Sequence, residues 1–163
     1  MSPDTSFDLE LQEAVRQFLY LEARLLDSRD WTGWLDLFDE SATYFIPLGG
    51  EDYDPETGPA LLYEDKALLR LRVTRLGHPR AYALDPQPVT THAITNVSLA
   101  RKKPNLEVSS LLSFHQFRDG EELFLTARLR HLLAGGPGAF KILRKTVFLT
   151  NAGGWHSVMS VPL

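Results

Sequence analysis

From Asp8 to about Leu26 the apolar residues recur at helical spacing. Leu11, Ala14, Val15, Phe18 and Leu25 make one stripe, which predicts a first helix with a single buried side. Thr5, three residues ahead of Asp8, resembles a capping box at its start. Ser28-Arg29-Asp30 supplies the next cap, and a short helix follows with Trp31, Trp34, Leu35 and Phe38 on adjoining positions of one face. Aromatics at that spacing read as core. Ala42–Ile46 reads as a short strand, stopped by Pro47 and Gly49-Gly50, and the Gly-, Pro- and acid-rich stretch from Gly49 to Pro59 reads as a surface loop. Residues 64–76 alternate apolar and basic over Leu69–Val73, as a strand would. Yet Glu64 and Asp65 open the segment and Arg70, Arg72 and Arg75 crowd its end, the charge order a helix dipole favours, so a helix is predicted.

Beyond Pro79 the period changes from 3.6 to 2. Thr90–Arg101, Leu106–Arg118, Leu123–Leu133 and Phe140–Leu149 are rich in β-branched and aromatic residues. Lys103-Pro104-Asn105, Asp119-Gly120 and Gly135-Gly136-Pro137-Gly138 divide them, and Asp-Gly between alternating strands is a strong hairpin signal. Leu123, Leu125, Ala127 and Leu129 should face one side, Thr126, Arg128 and Arg130 the other. Helices first and a meander afterwards define an α+β fold, with the helices packed on one face of a mainly antiparallel sheet. The tail carries Trp155, Val158, Met159, Val161 and Leu163, an apolar segment expected to dock on its own domain or to seal a partner contact.

The chain has 163 residues, which suits one domain spanning 1–163. A 44% hydrophobic and 23% charged composition is that of a globular protein, and a net charge of −4 supplies no global basic field for nucleic acid or anionic lipid. The acidic start lacks the pattern of a signal peptide and no 18-residue apolar run occurs, so a cytoplasmic location with no membrane contact is expected. The absence of cysteine removes disulfides, thiol catalysis and thiolate metal sites from this chain.

Chemistry has few candidates. His92 and Asn96 stand four apart on a predicted strand, so both are expected on one face, His92 as a general base and Asn96 as a carbonyl holder, with Tyr44, Asp27 and Asp30 as companions. The structural alternative is that they bond helix ends or loop backbone. Of His78, His92, His115, His131 and His156, no two stand at i,i+4 with a nearby carboxylate; His115 and His131, on neighbouring strands, are the pair that cross-strand contact would join. Arg128, Arg130, Arg144 and Lys145 are expected as a basic strip on the polar sheet face, either solvated or facing an acidic protein partner. The 135–138 glycines lack the helix and Lys-Ser/Thr of a phosphate loop, and no Gly-x-Ser-x-Gly occurs.

Several segments taken together resemble one family. Phe18–Asp27 leading into Trp31-x-x-Trp34-Leu35-x-Leu37-Phe38, Tyr63-Glu64-Asp65 through Arg70–Leu76, Thr91-His92-Ala93-Ile94-Thr95-Asn96-Val97, Ala127–Leu133 and Ile142–Asn151 are similar, in order, to the small (beta) subunit of aromatic-ring-hydroxylating dioxygenases. Two stretches depart from it. Pro86-Gln87-Pro88-Val89-Thr90 replaces the usual Pro-Pro-Ser-Arg, and the ending Val161-Pro162-Leu163 is less aromatic.

The resemblance implies the cone-shaped fold of nuclear transport factor 2-like and SnoaL-like proteins, three helices packed in a strongly curved sheet. It implies a non-catalytic structural subunit with no cofactor or metal of its own. A large alpha subunit would hold a Rieske [2Fe–2S] cluster and a mononuclear iron, take electrons from NAD(P)H through a reductase, and add O2 to an arene to give a cis-dihydrodiol. The implied assembly is alpha3beta3 with beta–beta contacts, and Glu22–Asp27 is closest to members acting on benzoate-like acids. The same fold hosts small-molecule enzymes, so a free-standing dehydratase or isomerase with His92 as base, or a ligand carrier, is the competing expectation.

Overall fold

Helix α1 (Leu9–Asp27) buries Val15 and Phe18 of the predicted stripe, packs Leu11, Ala14 and Leu25 half-buried against the core, and adds Leu19, Ala23 and Leu26 to the buried side. The computed structural model describes residues 9–49, 57–79, 86–152 and 161–163, so the Thr5 cap and the tail residues Trp155, Val158 and Met159 lie outside the described residues. After α1, Arg29 takes a left-handed backbone (φ 60°) and Asp30 caps α2 (Trp31–Asp36), its carboxylate accepting from Gly33 N at 2.9 Å. Phe38, expected on that helix, instead begins strand β1 (Phe38–Pro47), because α2 closes with Leu37 as its C-cap. β1 is therefore longer than Ala42–Ile46.

Strand β2 (Ala60–Asp65) differs from the sequence expectation, in which Glu64 and Asp65 open a helix and Ala60–Tyr63 belong to no element. Asp65 is the N-cap of α3 (Lys66–Leu76) and accepts from Leu68 N at 2.9 Å, so the acids taken for a first helical turn end the strand. Lys66 then turns back, its Nζ donating to Leu35 O at 2.7 Å and Phe38 O at 2.6 Å, which satisfies one carbonyl in the last turn of α2 and one at the start of β1.

Strands β3 (Val89–Lys102), β4 (Asn105–Arg118), β5 (Glu121–Ala134) and β6 (Lys141–Leu149) match the predicted meander to within two residues at each end. Asp119 and Gly120 both have positive φ (51° and 80°), as the tight β4–β5 turn requires. Among the described residues six strands lie in the order β2-β1-β6-β5-β4-β3, and of their pairings only β1–β6 is parallel. This is the expected α+β architecture, with the helices on one face of a curved sheet. Its core joins Val15, Leu19 and Leu26 of α1 to Trp34, Tyr44, Leu69, Val108, Leu112, Leu129, Ile142 and Val147, and Val161 and Leu163 of the tail enter the same cluster. Among the described residues no helix is long and apolar enough to cross a membrane.

Candidate functional site in the cone interior

Two polar clusters among the described interior residues are built on α1. The first forms where α1 ends against β3. Thr90 and His92 are two apart on a strand and so share a face. Asp27 Oδ1 accepts from the Thr90 hydroxyl at 3.0 Å and lies 2.6 Å from His92 Nδ1, while Oδ2 accepts from the His92 amide at 3.1 Å. Burial pushes the Asp27 carboxyl up, but these bonds outweigh it and hold the group below its usual range. The other ring nitrogen, Nε2, lies 3.2 Å from the Pro162 carbonyl, and the ring meets Phe114 edge-on at 4.8 Å. Tyr44, fully buried on β1, donates to Leu163 O at 3.3 Å and accepts from Leu163 N at 3.1 Å. Burial pushes its phenol above the ordinary value.

An Asp–His pair in an open pocket is the arrangement of a general base. Here the nitrogen that would receive a proton from a substrate faces the Pro162 carbonyl. Of the companions expected around His92, Asp27 bonds it directly and Tyr44 reaches the same tail segment, whereas Asp30 serves α2 as its cap.

Asn96 does not join them. Thr95 pairs with Leu111 and Ser98 with Ser109, so three steps on β3 match two on β4. The extra residue is a β-bulge, Asn96 sits in it with φ 54°, and the inside–outside alternation resets there. Four-residue spacing therefore fails to keep Asn96 on the face of His92. Asn96 instead lines an outer groove of about 350 Å³ with Ser98, Ser109, Leu111, Arg130 and Phe148.

The second cluster centres on Glu22. Its carboxylate receives Lys145 Nζ at 2.5 Å and the Trp34 indole N–H at 3.2 Å on Oε1, and lies 2.9 Å from His131 Nε2 through Oε2. Glu22, His131 and Lys145 are 3%, 0% and 1% exposed, so this is an ion cluster in the dry core. Burial alone would raise the Glu22 carboxyl; the adjacent ammonium and imidazole outweigh it and hold the group far below the carboxylate range.

Two expectations are corrected by this cluster. Lys145 does not belong to the basic strip: it pairs with His131 across β5–β6 and points inward, because β6 takes an extra residue near Leu143. Arg128, Arg130 and Arg144 keep the outer face, with Arg130 lying 5.1 Å over the Phe148 ring. His115 and His131 do not meet either: His131 faces Val108 across β4–β5, while His115 stacks on Phe124 at 4.2 Å. Glu22 itself was missed. The signal was present, since it falls four after Phe18 and four before Leu26, inside the apolar stripe.

A cone of helices on a curved sheet defines the class first. The fold is shared with an NTF2-like protein of cystatin-like fold from Novosphingobium aromaticivorans (14% identity, TM-score 0.61, covering 88% of this chain and 84% of that one). Residues 21–153 match the family model described as ring hydroxylating beta subunit, and the chain belongs to that family. It is 35% identical over 150 residues to the anthranilate 1,2-dioxygenase small subunit of Acinetobacter baylyi, covering 88% of this chain and 91% of that protein. It is 38% identical to the 2-halobenzoate 1,2-dioxygenase small subunit of Burkholderia cepacia, covering 84% and 87%. The beta subunit of benzoate 1,2-dioxygenase from Burkholderia mallei superposes with a TM-score of 0.73 at 28% identity, covering 90% and 93%. As a small subunit of this family the chain is one component of an oxygenase complex with a large alpha subunit. The sequence offers no cysteine for a thiolate-bound cluster.

Proposed function

We propose that this chain is the structural, non-catalytic beta subunit of an aromatic-ring-hydroxylating dioxygenase, folded as one domain over 1–163. The observation that carries the reading is the internal use of the cone's polar groups. His92 is engaged by Asp27 and Pro162, and Glu22 by Lys145, His131 and Trp34. The free-standing dehydratase or isomerase needs His92 Nε2 facing a substrate, and that position is taken. Catalysis is then assigned to the large subunit, with a Rieske [2Fe–2S] cluster, a mononuclear Fe(II), and electrons from NAD(P)H through a reductase. The likeness to anthranilate and halobenzoate enzymes favours a benzoate-like acid as the substrate of the complex.

The assembly we propose is cytoplasmic and alpha3beta3, with beta–beta contacts and no nucleic acid or membrane partner. Its support in this chain is exposed apolar area: Leu61 and Tyr63 on β2 and Leu68 and Leu71 on α3 are between 37% and 51% exposed. Co-expression with the adjacent large-subunit gene, followed by gel filtration with light scattering, tests this. A stable hetero-oligomer that consumes O2 with benzoate or anthranilate, and keeps doing so with His92→Gln, is expected. Chains that elute apart, or loss of turnover in an assembled His92→Gln complex, overturn it.

A further inference from the structure

The tail contact has the features of a ligand in a site. Val161, Pro162 and Leu163 are buried, at 6% exposure for Val161 and 1% for Leu163, and their backbone bonds two polar side chains of the cone, His92 and Tyr44. Three bonds converge on two consecutive residues. His92 Nε2 reaches the Pro162 carbonyl, and the Tyr44 hydroxyl both accepts from the Leu163 amide and donates to its carbonyl. The walls are apolar, with Phe114 against the imidazole and Val161 and Leu163 merged into the core cluster. An apolar recess with a few convergent polar groups is how proteins build binding sites.

The setting of the ring sharpens the chemistry. Asp27 Oδ1 and Pro162 O face the two ring nitrogens from opposite sides, so the imidazole is held between a carboxylate and a backbone carbonyl. The charged group facing the ring from α1 is Asp27; β4 presents Phe114 and the tail presents a carbonyl. The carboxylate thus fixes a ring whose Nε2 is aimed at whatever carbonyl enters.

We propose that the His92–Tyr44 recess is a peptide-binding site for a short apolar segment, recognised by a carbonyl at one residue and the amide and carbonyl of the next, and that Val161–Pro162–Leu163 fills it as an internal ligand. The site selects backbone groups plus an apolar side chain at the Leu163 position. It is a property of this chain alone and holds whether or not the dioxygenase assembly forms.

The test uses the full chain. In the wild type, hydrogen exchange at the Leu163 amide is expected to be protected, and Tyr44→Phe, which loses both hydroxyl bonds, should speed it by about tenfold or more. The full-length Leu163→Asp variant places a charge in the recess and should release the tail. Acetyl-Val-Pro-Leu is then expected to bind Leu163→Asp by calorimetry, to bind wild type at least about tenfold more weakly, and to lose affinity when His92→Ala is added. If Leu163→Asp does not fold, the exchange comparison decides the matter. A Leu163 amide that exchanges as in an unstructured peptide, an exchange rate unmoved by Tyr44→Phe, or a folded Leu163→Asp protein that ignores the peptide overturns the proposal.

Discussion

Replacing Glu22 by Met removes one side chain and leaves three groups without their acceptor. Lys145 loses its counter-ion, His131 Nε2 its partner, and the Trp34 indole N–H its acceptor, all in the dry core. Breaking a buried pair by deleting one member costs about 3–5 kcal/mol, and a stranded donor adds about 1–3 kcal/mol, so Glu22→Met belongs at the upper end. For a chain of this size the 3–5 kcal/mol alone lowers Tm by roughly 6–20 °C. Lys145→Met should cost less, because His131 and Trp34 still serve the carboxylate. The double variant removes the stranded ammonium, so it should cost less than the sum of the two, but it still leaves the Trp34 indole N–H and His131 Nε2 without their acceptor and keeps that part of the cost. Equilibrium urea unfolding followed by tryptophan emission gives all three values. A Glu22→Met cost below about 1 kcal/mol, or strict additivity in the double variant, would refute a desolvated ion cluster.

Acid should unfold the protein through the two carboxylates on α1. Glu22 and Asp27 are both held below their ordinary values, so their stabilisation is complete above the unfolded pKa of about 4 and is lost as pH falls through the depressed folded values. Urea midpoints should therefore drop below pH ~4, and less steeply in Glu22→Gln. Asp30→Ala and Asp65→Ala each remove a cap bond to a helix N-terminus and should cost about 1 kcal/mol in the same assay. Gly135→Ala places a Cβ 2.3 Å from the Ala139 carbonyl at φ 82°, whereas at Gly138 (φ 79°) a Cβ meets nothing within 4 Å. The first substitution should lower Tm clearly more than the second.

Periodicity made the repeating parts legible. The α1 stripe, the four long strands and the Asp119-Gly120 turn are local patterns, and the structure follows them. What failed depends on single-residue phase changes that composition does not encode. One extra residue at Asn96 turns it away from His92, and one near Leu143 carries Lys145 from the surface to the core. The β2 strand was masked by Glu64 and Asp65: Asp65 does cap a helix, but from the end of a strand. His92 was legible as a candidate because a histidine in an alternating strand is conspicuous. Its engagement by residues 65 and 70 positions away was not, since such contacts exist only once the chain has closed.

Glu22 and Asp27 also bear on how α1 finds its place. An apolar stripe on a helix tolerates displacement by a turn, about 5.4 Å, because leucines and phenylalanines exchange neighbours at modest cost. Two acids five residues apart do not. Glu22 must meet Lys145 and His131 while Asp27 meets Thr90 and His92, and a one-turn slip separates both sets at once. We therefore expect the ion cluster to select register more than it adds stability, a role attested for some buried polar groups. Glu22→Met/Lys145→Met is the discriminating protein, because it is expected to stay folded. If the charges set the register, its α1 amides should lose hydrogen-exchange protection relative to wild type and its near-UV dichroism should weaken even though its urea midpoint stays above that of Glu22→Met. If the double variant keeps full α1 protection and a sharp near-UV spectrum, apolar packing alone positions the helix and the Asp27 contact with β3 is a consequence of that packing.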